Sequence, residues 1–380
     1  MEENTRYFSF KKVVTRALEV HAKYIVIYGE RSNGKTYGAE MIGLDGLRVG
    51  NKQLLKGYIQ DGSQFAIVRR WKDDFTGKRG ATMFDGIVNN GEIVRMTNGK
   101  WDQVYYYSGR WYLAKFDKEL NKIVHDETPF AYAFAITSME HDKSTSYPKI
   151  NKIIFDEFLT RGMYLPDEFV QFMNVISTIV RDRNDVTIFM LGNTVNKYCP
   201  YFEEMGLTNV KNMKPGTIDV YNYGTSDLHV VVEYADTSKR VKKASDVYFA
   251  FNNPRLEMIT GGAWEMDIHP HLPTKYAPKN VLFQYFIKFG GETLHAEIIS
   301  INDTIFTYIH RKTTPIKDEA HDLVFSTEWS EKPNYRRRIN RVTNKKERVI
   351  YSFFVKDKVF YQDNNVGEVV RNYLLWCNAS

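Results

Sequence analysis

Residues 25–41 read IVIYGERSNGKTYGAEM, and this stretch decides the fold. The β-branched, apolar run before Gly29 predicts a buried strand, and the segment that begins at Lys35 predicts a helix. The loop between them fits the pattern G-x-x-x-x-G-K-[ST], with Gly29, Gly34, Lys35 and Thr36 at the defining positions. A strand, a glycine-rich loop and a helix in this order favour a phosphate-binding site over the alternative, a glycine-rich turn without a ligand.

The loop has the chemistry to hold ATP and Mg²⁺. Glycines let successive backbone N–H groups point inward, and the positive end of the following helix adds to the attraction for phosphate oxygens. We expect Lys35 to neutralise the β- and γ-phosphates and the Thr36 hydroxyl to bind magnesium. The predicted nucleotide-binding residues are Gly29, Glu30, Arg31, Ser32, Asn33, Gly34, Lys35 and Thr36.

A second motif supplies carboxylates. Residues 153–157 read IIFDE, an apolar strand followed at once by two acids. We expect Asp156 to bind magnesium through water and Glu157 to polarise an attacking water. The alternative is an exposed strand end with two solvated acids. An Asp-Glu pair favours a hydrolytic motor over a small-molecule kinase, which does not need a water-activating glutamate.

Further polar residues follow predicted elements on either side. Asn193, just past the strand at 186–192, is where a γ-phosphate sensor would lie, although an Asn that caps a turn has the same pattern. Arg181 and Arg183 end the predicted helix at 166–181. Cations there complement the helix dipole, or one of them acts as an arginine finger in a neighbouring subunit's site.

Two more candidates have less distinctive surroundings. Lys143 lies on a polar loop before the Asp156 strand, where a solvated lysine is equally expected. Arg69 and Arg70 end the core strand predicted over residues 64–70, and their spacing does not decide which of them faces phosphates.

Composition sets the protein class. The 380 residues are 43% hydrophobic and carry a formal net charge of +6, which suits a folded protein with a polyanionic partner. Cys199 and Cys377 have no nearby Cys or His pair, so we expect free thiols and no zinc site among the cysteines. The sequence has no apolar run of membrane-spanning length and no signal-peptide pattern at its start, which predicts a location in the cytoplasm.

The order of elements predicts three regions. Continuously apolar strands separated by helices indicate an α/β domain over residues 1–205 with a mostly parallel sheet, and antiparallel hairpins over 92–137 as an insertion. Residues 206–255 are polar and predict a linker or lid subdomain. Residues 256–380, with three strand-like runs and a terminal helix, predict an α+β domain.

Two basic stretches are candidates for contact with nucleic acid. Residues 335–348 read YRRRINRVTNKKER, and the Gly-flanked stretch TGKRGA at 76–81 predicts a loop that reaches a DNA pore. Phosphate contacts carry no base information, as a sequence-independent DNA motor requires. A solvated surface is the alternative for both. The candidate residues are Arg336, Arg337, Arg338, Arg341, Lys345, Lys346, Lys78 and Arg79.

Four segments, in this order and at this spacing, resemble the genome-packaging ATPases of small, short-tailed, protein-primed bacteriophages. They are YGERSNGKTY, FAIVRRWK, DKSTSYPKINKIIFDEF and IVRDRNDVTIFMLGN, and DNNVGEVVRNYLL near the carboxyl terminus is a weaker match. The resemblance implies a P-loop ATPase of the additional-strand (ASCE) class that drives double-stranded DNA into a procapsid in the host cytoplasm. It also implies a homo-oligomeric ring, expected to be a pentamer, docked on a portal, and a structural packaging RNA as a further partner.

The resemblance assigns roles to individual residues. It gives Lys35, Thr36, Asp156 and Glu157 the hydrolytic functions, and it makes Arg181 and Lys143 act across a subunit interface.

It also implies a ribonuclease H-like domain over residues 256–380 that has lost its active site. The predicted first strand of that domain, VLFQYFIKF, lacks the acid that a two-metal nuclease needs, whereas Glu297 and Asp303 remain. Rival functions are a terminase-type packager with a working nuclease, a helicase and a nucleotide-switched binding module.

Overall fold

The computed structural model contains two compact units. It describes residues 8–31, 33–141, 145–224, 226–236, 264, 266–272 and 274–379. The first unit comprises Met1–Thr160, Asp167–Lys197 and Glu204–Trp264, and the second comprises Arg161–Pro166, Tyr198–Glu203 and Glu265–Ser380.

The helices are spread over the whole chain. The α-helices are α1 Lys11–Glu19, α2 Lys35–Asp45, α3 Tyr58–Asp61, α4 Gly77–Ala81, α5 Asp85–Asn89, α6 Glu92–Met96, α7 Glu168–Val180, α8 Pro200–Glu204, α9 Lys345–Val355 and α10 Asn364–Ala379. Short 3-10 helices occupy Lys72–Phe75, Ile136–His141, Val210–Asn212 and Pro278–Asn280.

The strands of the first unit form one large sheet and a small separate pair. They are β1 Tyr24–Gly29, β2 Leu47–Val49, β3 Lys52–Leu55, β4 Gln64–Arg69, β5 Gln103–Tyr107, β6 Arg110–Asp117, β7 Lys122–His125, β8 Ala131–Ala135, β9 Ile150–Asp156, β10 Thr187–Asn193, β11 Ile218–Asn222 and β12 His229–Tyr234. Within the described residues the large sheet has ten strands in the order β11-β12-β1-β10-β9-β4-β8-β6-β5, with β7 paired to β6, whereas β2 and β3 pair with each other.

The centre of the large sheet is parallel. Every pairing from β12 to β8 is parallel, whereas β11 and the hairpin strands β5–β7 pair antiparallel. The central strands are buried on both faces, which explains why their sequences are continuously apolar rather than alternating. The predicted α/β fold with a largely parallel sheet is confirmed.

The register brings polar strand ends together. Gly29 pairs with Asn193 across β1 and β10, and Leu191 pairs with Asp156 across β10 and β9. Arg69 ends β4, the next strand along. Since the carboxyl ends of parallel strands meet at one edge of a sheet, this edge is where a ligand site is expected.

The hairpins over residues 92–137 differ in part from the prediction. Glu92–Met96 forms α6, and β8 lies parallel to β4, so β5–β7 extend the large sheet instead of standing beside it. The tight turn between β5 and β6 was read correctly. Ser108 and Gly109 both have positive φ, which is what a two-residue hairpin turn requires.

Residues 206–255 also need a correction. Their strands β11 and β12 lie in the large sheet, with β12 directly beside β1. The apolar run Val230–Val232 is fully buried, so it drives this segment into the core and not into a separate linker. Most of the remainder of the predicted linker, residues 237–255, lies outside the described residues.

The second unit has a six-stranded sheet with a core on one face. Its strands are β13 Val281–Phe289, β14 Glu292–Ile301, β15 Thr304–Arg311, β16 Val324–Ser326, β17 Tyr335–Arg336 and β18 Val359–Tyr361, in the order β17-β16-β13-β14-β15-β18. Strands β13–β15 form an antiparallel meander, and β16 joins β13 in parallel. Apolar residues of α10, such as Val369 and Tyr373, form the core together with Tyr285 and Leu294 of the sheet.

Both cysteines, Cys199 and Cys377, are free and buried. None of the helices in the described ranges is both long and apolar enough to cross a membrane.

Candidate functional site

The loop between β1 and α2 has the backbone that its glycines predict. Gly34 adopts a left-handed conformation, with φ of 79°, and α2 begins directly after it. Gly29 lies so close to the backbone after β12 that a Cβ there would approach Ala235 Cβ to 2.9 Å. Both positions therefore require glycine, because a side chain would clash at Gly29 and strain the turn at Gly34. Ser32 lies outside the described residues.

Lys35 joins the loop to the neighbouring strand. Its ammonium donates to Glu30 O at 2.8 Å, Asn33 Oδ1 at 3.0 Å and Asn193 Oδ1 at 3.2 Å. The side chain is 5% exposed, so its charge is stabilised by oxygen atoms and not by bulk water. Asn193 thus lies beside the lysine that is expected to bind phosphate.

The two sequence motifs meet at Asp156. The Thr36 hydroxyl donates to Asp156 Oδ1 at 2.9 Å, and Arg69 donates to Asp156 Oδ2 at 2.5 Å. Burial lowers the pKa of Arg69, but the charges of Asp156 and Glu157 outweigh this effect, and the net pKa is raised. Arg69 therefore stays charged. A hydroxyl and a buried carboxylate in contact have the oxygen donors that Mg²⁺ prefers, so the residues present fit this ion.

Glu157 points away from this buried contact. It has a positive φ of 60°, which is uncommon for a residue with a side chain. Its side chain is 61% exposed, and the nearest Arg69 nitrogen lies 4.0 Å from Oε2. The backbone of the following residue stays tied to the sheet, since Phe158 N donates to Leu191 O at 3.2 Å. The strained turn thus places an open carboxylate next to Asp156.

The adjacent arginines Arg69 and Arg70 have opposite environments. Arg70 forms a bidentate ion pair with Glu168, at 2.7 and 2.8 Å, and also donates to Phe158 O at 3.0 Å. This pair is buried and connects the end of β4 to the start of α7. Consequently Arg69 faces the candidate nucleotide site, and Arg70 has a structural role.

Glu40 is a buried acid that the sequence analysis missed. It lies on α2, one turn after Thr36, and is almost fully buried. Burial raises the pKa of Glu40 well above its usual range, nearby Asp156 raises it further, and Arg69 opposes this. Its spacing of four residues from Thr36 on one helix face was the signal that could have found it.

The two arginines after α7 also differ. Arg183 donates to the carbonyls of Tyr147, Ile150 and Ile179, the shortest at 2.7 Å, so it fastens the loop that precedes β9. Arg181 is exposed and donates to Thr145 O at 2.9 Å. Arg181 is therefore better placed than Arg183 to reach another molecule. Lys143 lies outside the described residues.

The basic segment 335–348 is not a uniform surface. Arg336 forms an ion pair at 2.9 Å with Glu347, whose side chain is 2% exposed. Arg337 and Arg338 lie over the Trp376 ring, at 5.3 and 5.7 Å. The exposed cations of the segment are Arg337, Arg341, Lys345, Lys346 and Arg348.

Lys78 and Arg79 do not lie on a loop, as the glycines around them had suggested. They are exposed residues of α4. Gly80 permits this short helix to pack closely, because a Cβ there would approach Phe75 O to 2.6 Å. The flanking glycine serves packing here and not flexibility.

Comparison with known proteins gives consistent matches. A family model described as Podovirus DNA encapsidation protein (Gp16) matches residues 114–253. The DNA packaging protein of Bacillus phage B103 is 24% identical over 219 residues, which cover 57% of this chain and 57% of that protein. The DNA packaging protein of Bacillus phage PZA is 24% identical over 271 residues, covering 70% of this chain and 69% of that protein.

One solved structure supports the fold over the whole chain. It is the bacteriophage Phi-29 viral genome packaging motor assembly, with a TM-score of 0.51 and 19% identity over 99% of this chain and 100% of that one. The resemblance to phage genome-packaging proteins that the sequence motifs indicated is confirmed by the sequence matches.

Proposed function

We propose that this chain is an ATP-hydrolysing motor subunit that drives double-stranded DNA into a viral procapsid in the host cytoplasm. The observation that carries the proposal is the contact between Thr36 Oγ1 and Asp156 Oδ1 at 2.9 Å. It joins two motifs that are 120 residues apart in sequence. The similarity to two DNA packaging proteins supplies the biological setting for this nucleotide site.

The strand order supports assignment to the additional-strand class of P-loop ATPases. Strand β10 lies between the loop strand β1 and the acid-bearing strand β9. The inserted strand ends in Asn193, which contacts Lys35 at 3.2 Å. A sensor at this position would link the state of the phosphates to the middle of the sheet.

Each residue of the site has a proposed role. Lys35 exchanges its loop oxygens for phosphate oxygens when ATP binds, and backbone N–H groups at the start of α2 hold the phosphates. Thr36 and Asp156 hold magnesium, which when bound would neutralise charge on the phosphates. Glu157 orients the attacking water and accepts its proton.

Arg69 adds a component that the sequence did not resolve. Its ion pair with Asp156 fixes the carboxylate and leaves Oδ1 directed to Thr36. We propose that Arg69 is a positioning residue that keeps Asp156 ionised and correctly turned. Glu40, which favours its protonated form, adds little competing negative charge.

Catalysis is proposed to be completed by a second subunit. Arg181 reaches into a neighbour's site and stabilises the charge of the transition state, as arginine fingers do in related reactions. Its exposure supports this role better than the carbonyl-bound state of Arg183. A homo-oligomeric ring, a pentamer by resemblance, has the heterologous contacts that such an arrangement requires. Lys143 is kept as a second candidate for action across the interface.

The second unit is proposed to be a ribonuclease H-like domain that contacts DNA without cutting it. Its meander β15-β14-β13, extended by the parallel strands β16 and β17, has the strand order expected of that fold. The first strand, β13, carries no acid, which disfavours the rival with a working nuclease. The exposed cations between Arg337 and Arg348 are proposed to contact phosphates of DNA or of a packaging RNA, and Lys78 and Arg79 to contact DNA.

The proposal is tested by steady-state phosphate release with and without double-stranded DNA. We expect ATP turnover that duplex DNA stimulates and that Glu157→Gln removes without loss of ATP binding. Turnover that DNA leaves unchanged would support a nucleotide-switched binding module instead. Separation of the strands would indicate a helicase, and cleavage of the duplex would indicate an active nuclease.

A further inference from the structure

A cluster of two histidines and a glutamate lies on the second unit, away from its core. On β14, Leu294 and Ala296 point into the core, so the alternating residues His295 and Glu297 lie on the opposite face of the sheet. His295 pairs in register with His310 of β15. Three potential metal ligands thus come from two adjacent strands.

The three side chains are spaced as ligands of one ion. Their ligand atoms all lie within 4.8 Å of one another, and Glu297 Oε2 lies 3.4 Å from His310 Nε2. Nitrogen and oxygen atoms bound tetrahedrally at about 2.0–2.2 Å from zinc are roughly 3.3–3.6 Å apart. Small side-chain rotations would bring His295 to the same spacing, since the two imidazole ring centres are already 4.9 Å apart.

The surroundings orient each ligand as metal sites require. His310 Nδ1 lies 3.1 Å from Arg311 O, and His295 Nε2 lies 3.1 Å from Gln284 Oε1. These oxygens accept the N–H of one ring nitrogen and leave His310 Nε2 and His295 Nδ1 with lone pairs. The Tyr276 hydroxyl donates to Glu297. Oriented imidazoles with an oxygen partner on the second nitrogen are typical of metal-binding histidines.

We propose that His295, Glu297 and His310 bind one divalent transition-metal ion of the Zn²⁺ class. Two imidazoles and one carboxylate suit zinc, whereas Mg²⁺ and Ca²⁺ prefer sites made of oxygen atoms. Water completes the coordination at the fourth position. The site differs from a two-metal nuclease site, which is built from several acids.

The ion acts as a cross-link between β14 and β15. Since the ligands come from both strands of the meander, binding stabilises the native pairing of this sheet. This inference does not depend on ATP hydrolysis, so it can fail while the proposed function is correct, and the reverse also holds.

The test uses the full chain, stripped with a chelator and then titrated with ZnCl₂ in a calorimeter. We expect a single ion per chain and a higher unfolding temperature in the presence of zinc. Replacement by Co²⁺ should give the intense visible absorption of a tetrahedral site. No stoichiometric binding, or cobalt that gives only the weak spectrum of the hydrated ion, would overturn the proposal.

Variants identify the ligands. His310→Gln and Glu297→Gln, which preserve size and polarity, should each weaken zinc binding by more than the roughly 10–100-fold that loss of an orienting partner costs. Gln284→Ala, which removes such a partner, should weaken it by about 10–100-fold. His321→Gln is the matched control, because exposed His321 pairs with Asp318 outside the cluster. Circular dichroism and ATP turnover report whether each variant is folded, and zinc affinity that is equal in all folded variants would contradict the assignment.

Discussion

The nucleotide site of the first unit and the basic segment of the second both concentrate charge, yet they hold it differently. At the carboxyl edge of the large sheet, Lys35, Asp156 and Arg69 are largely buried, and each contacts another polar group of the site. In residues 335–348, Arg336 is fixed by buried Glu347, while Arg341 and Lys345 are exposed. Burial makes the first arrangement specific, because a buried charge is stable only with suitable partners.

This contrast shows what each kind of sequence signal can specify. A motif with fixed backbone demands, such as a left-handed Gly34 before Lys35, determines where side chains meet. A run of basic residues determines local charge but does not show which members bind the protein itself. The following predictions test whether the two regions behave as differently as their contacts indicate.

Arg181→Ala should have the largest effect. Loss of an arginine finger lowers turnover by about 10³–10⁵-fold, whereas ATP binding should be retained. Arg183→Ala is the matched control, and because Arg183 binds backbone carbonyls we expect lower thermal stability with turnover largely kept. Mixing Arg181→Ala with Lys35→Ala chains should restore part of the activity. Mixed rings that stay inactive at every ratio would exclude action between subunits.

Glu157→Gln should lower turnover by about 10²–10⁴-fold, the range expected for loss of a general base. ATP binding should be unchanged, because Glu157 is exposed and does not contact Thr36 or Lys35 in the described arrangement. Phosphate release and nucleotide binding are measured on the same samples. Glu119→Gln, at another exposed acid, serves as the control, and equal rates for the two variants would remove Glu157 from the mechanism.

Arg70→Met should destabilise the first unit by about 3–5 kcal/mol, since it leaves Glu168 buried without its partner. The double variant Arg70→Met/Glu168→Met should recover much of this loss. Arg69→Met should reduce stability less and impair magnesium-dependent nucleotide binding more. Urea denaturation measures the stabilities, and similar losses for the two single variants would show that the neighbouring arginines do not have separate roles.

The exposed cations should give the smallest effect. Replacing Arg337, Arg341 and Lys345 together by Gln should shallow the salt dependence of DNA binding by about 0.9 per phosphate contact in log–log slope. ATP binding should persist. Arg336→Gln, in contrast, should lower stability because it unpairs Glu347. An unchanged slope in the triple variant would identify the segment as a solvated surface and direct attention to Lys78 and Arg79.

Much of the fold could be predicted, because the central strands are buried on both faces and therefore read as apolar runs. The Thr36–Asp156 contact was also predictable, since parallel strands bring their carboxyl ends together. Arg69 and Arg70 could not be separated, because alternation places them on opposite sides without telling which side faces the site. His295 and His310 could not be paired without the register of β14 and β15. The alternation of His295 and Glu297 was the available signal.

The most direct test of the central claim measures how much DNA becomes resistant to nuclease when ATP and this chain are added to procapsids with their portal. If ATP hydrolysis at the Lys35–Asp156 site moves DNA, the unmodified chain should protect genome-length DNA and Glu157→Gln should protect none, although both bind ATP. Equal protection by the two proteins, or none by an unmodified chain that hydrolyses ATP in the same sample, would contradict the account.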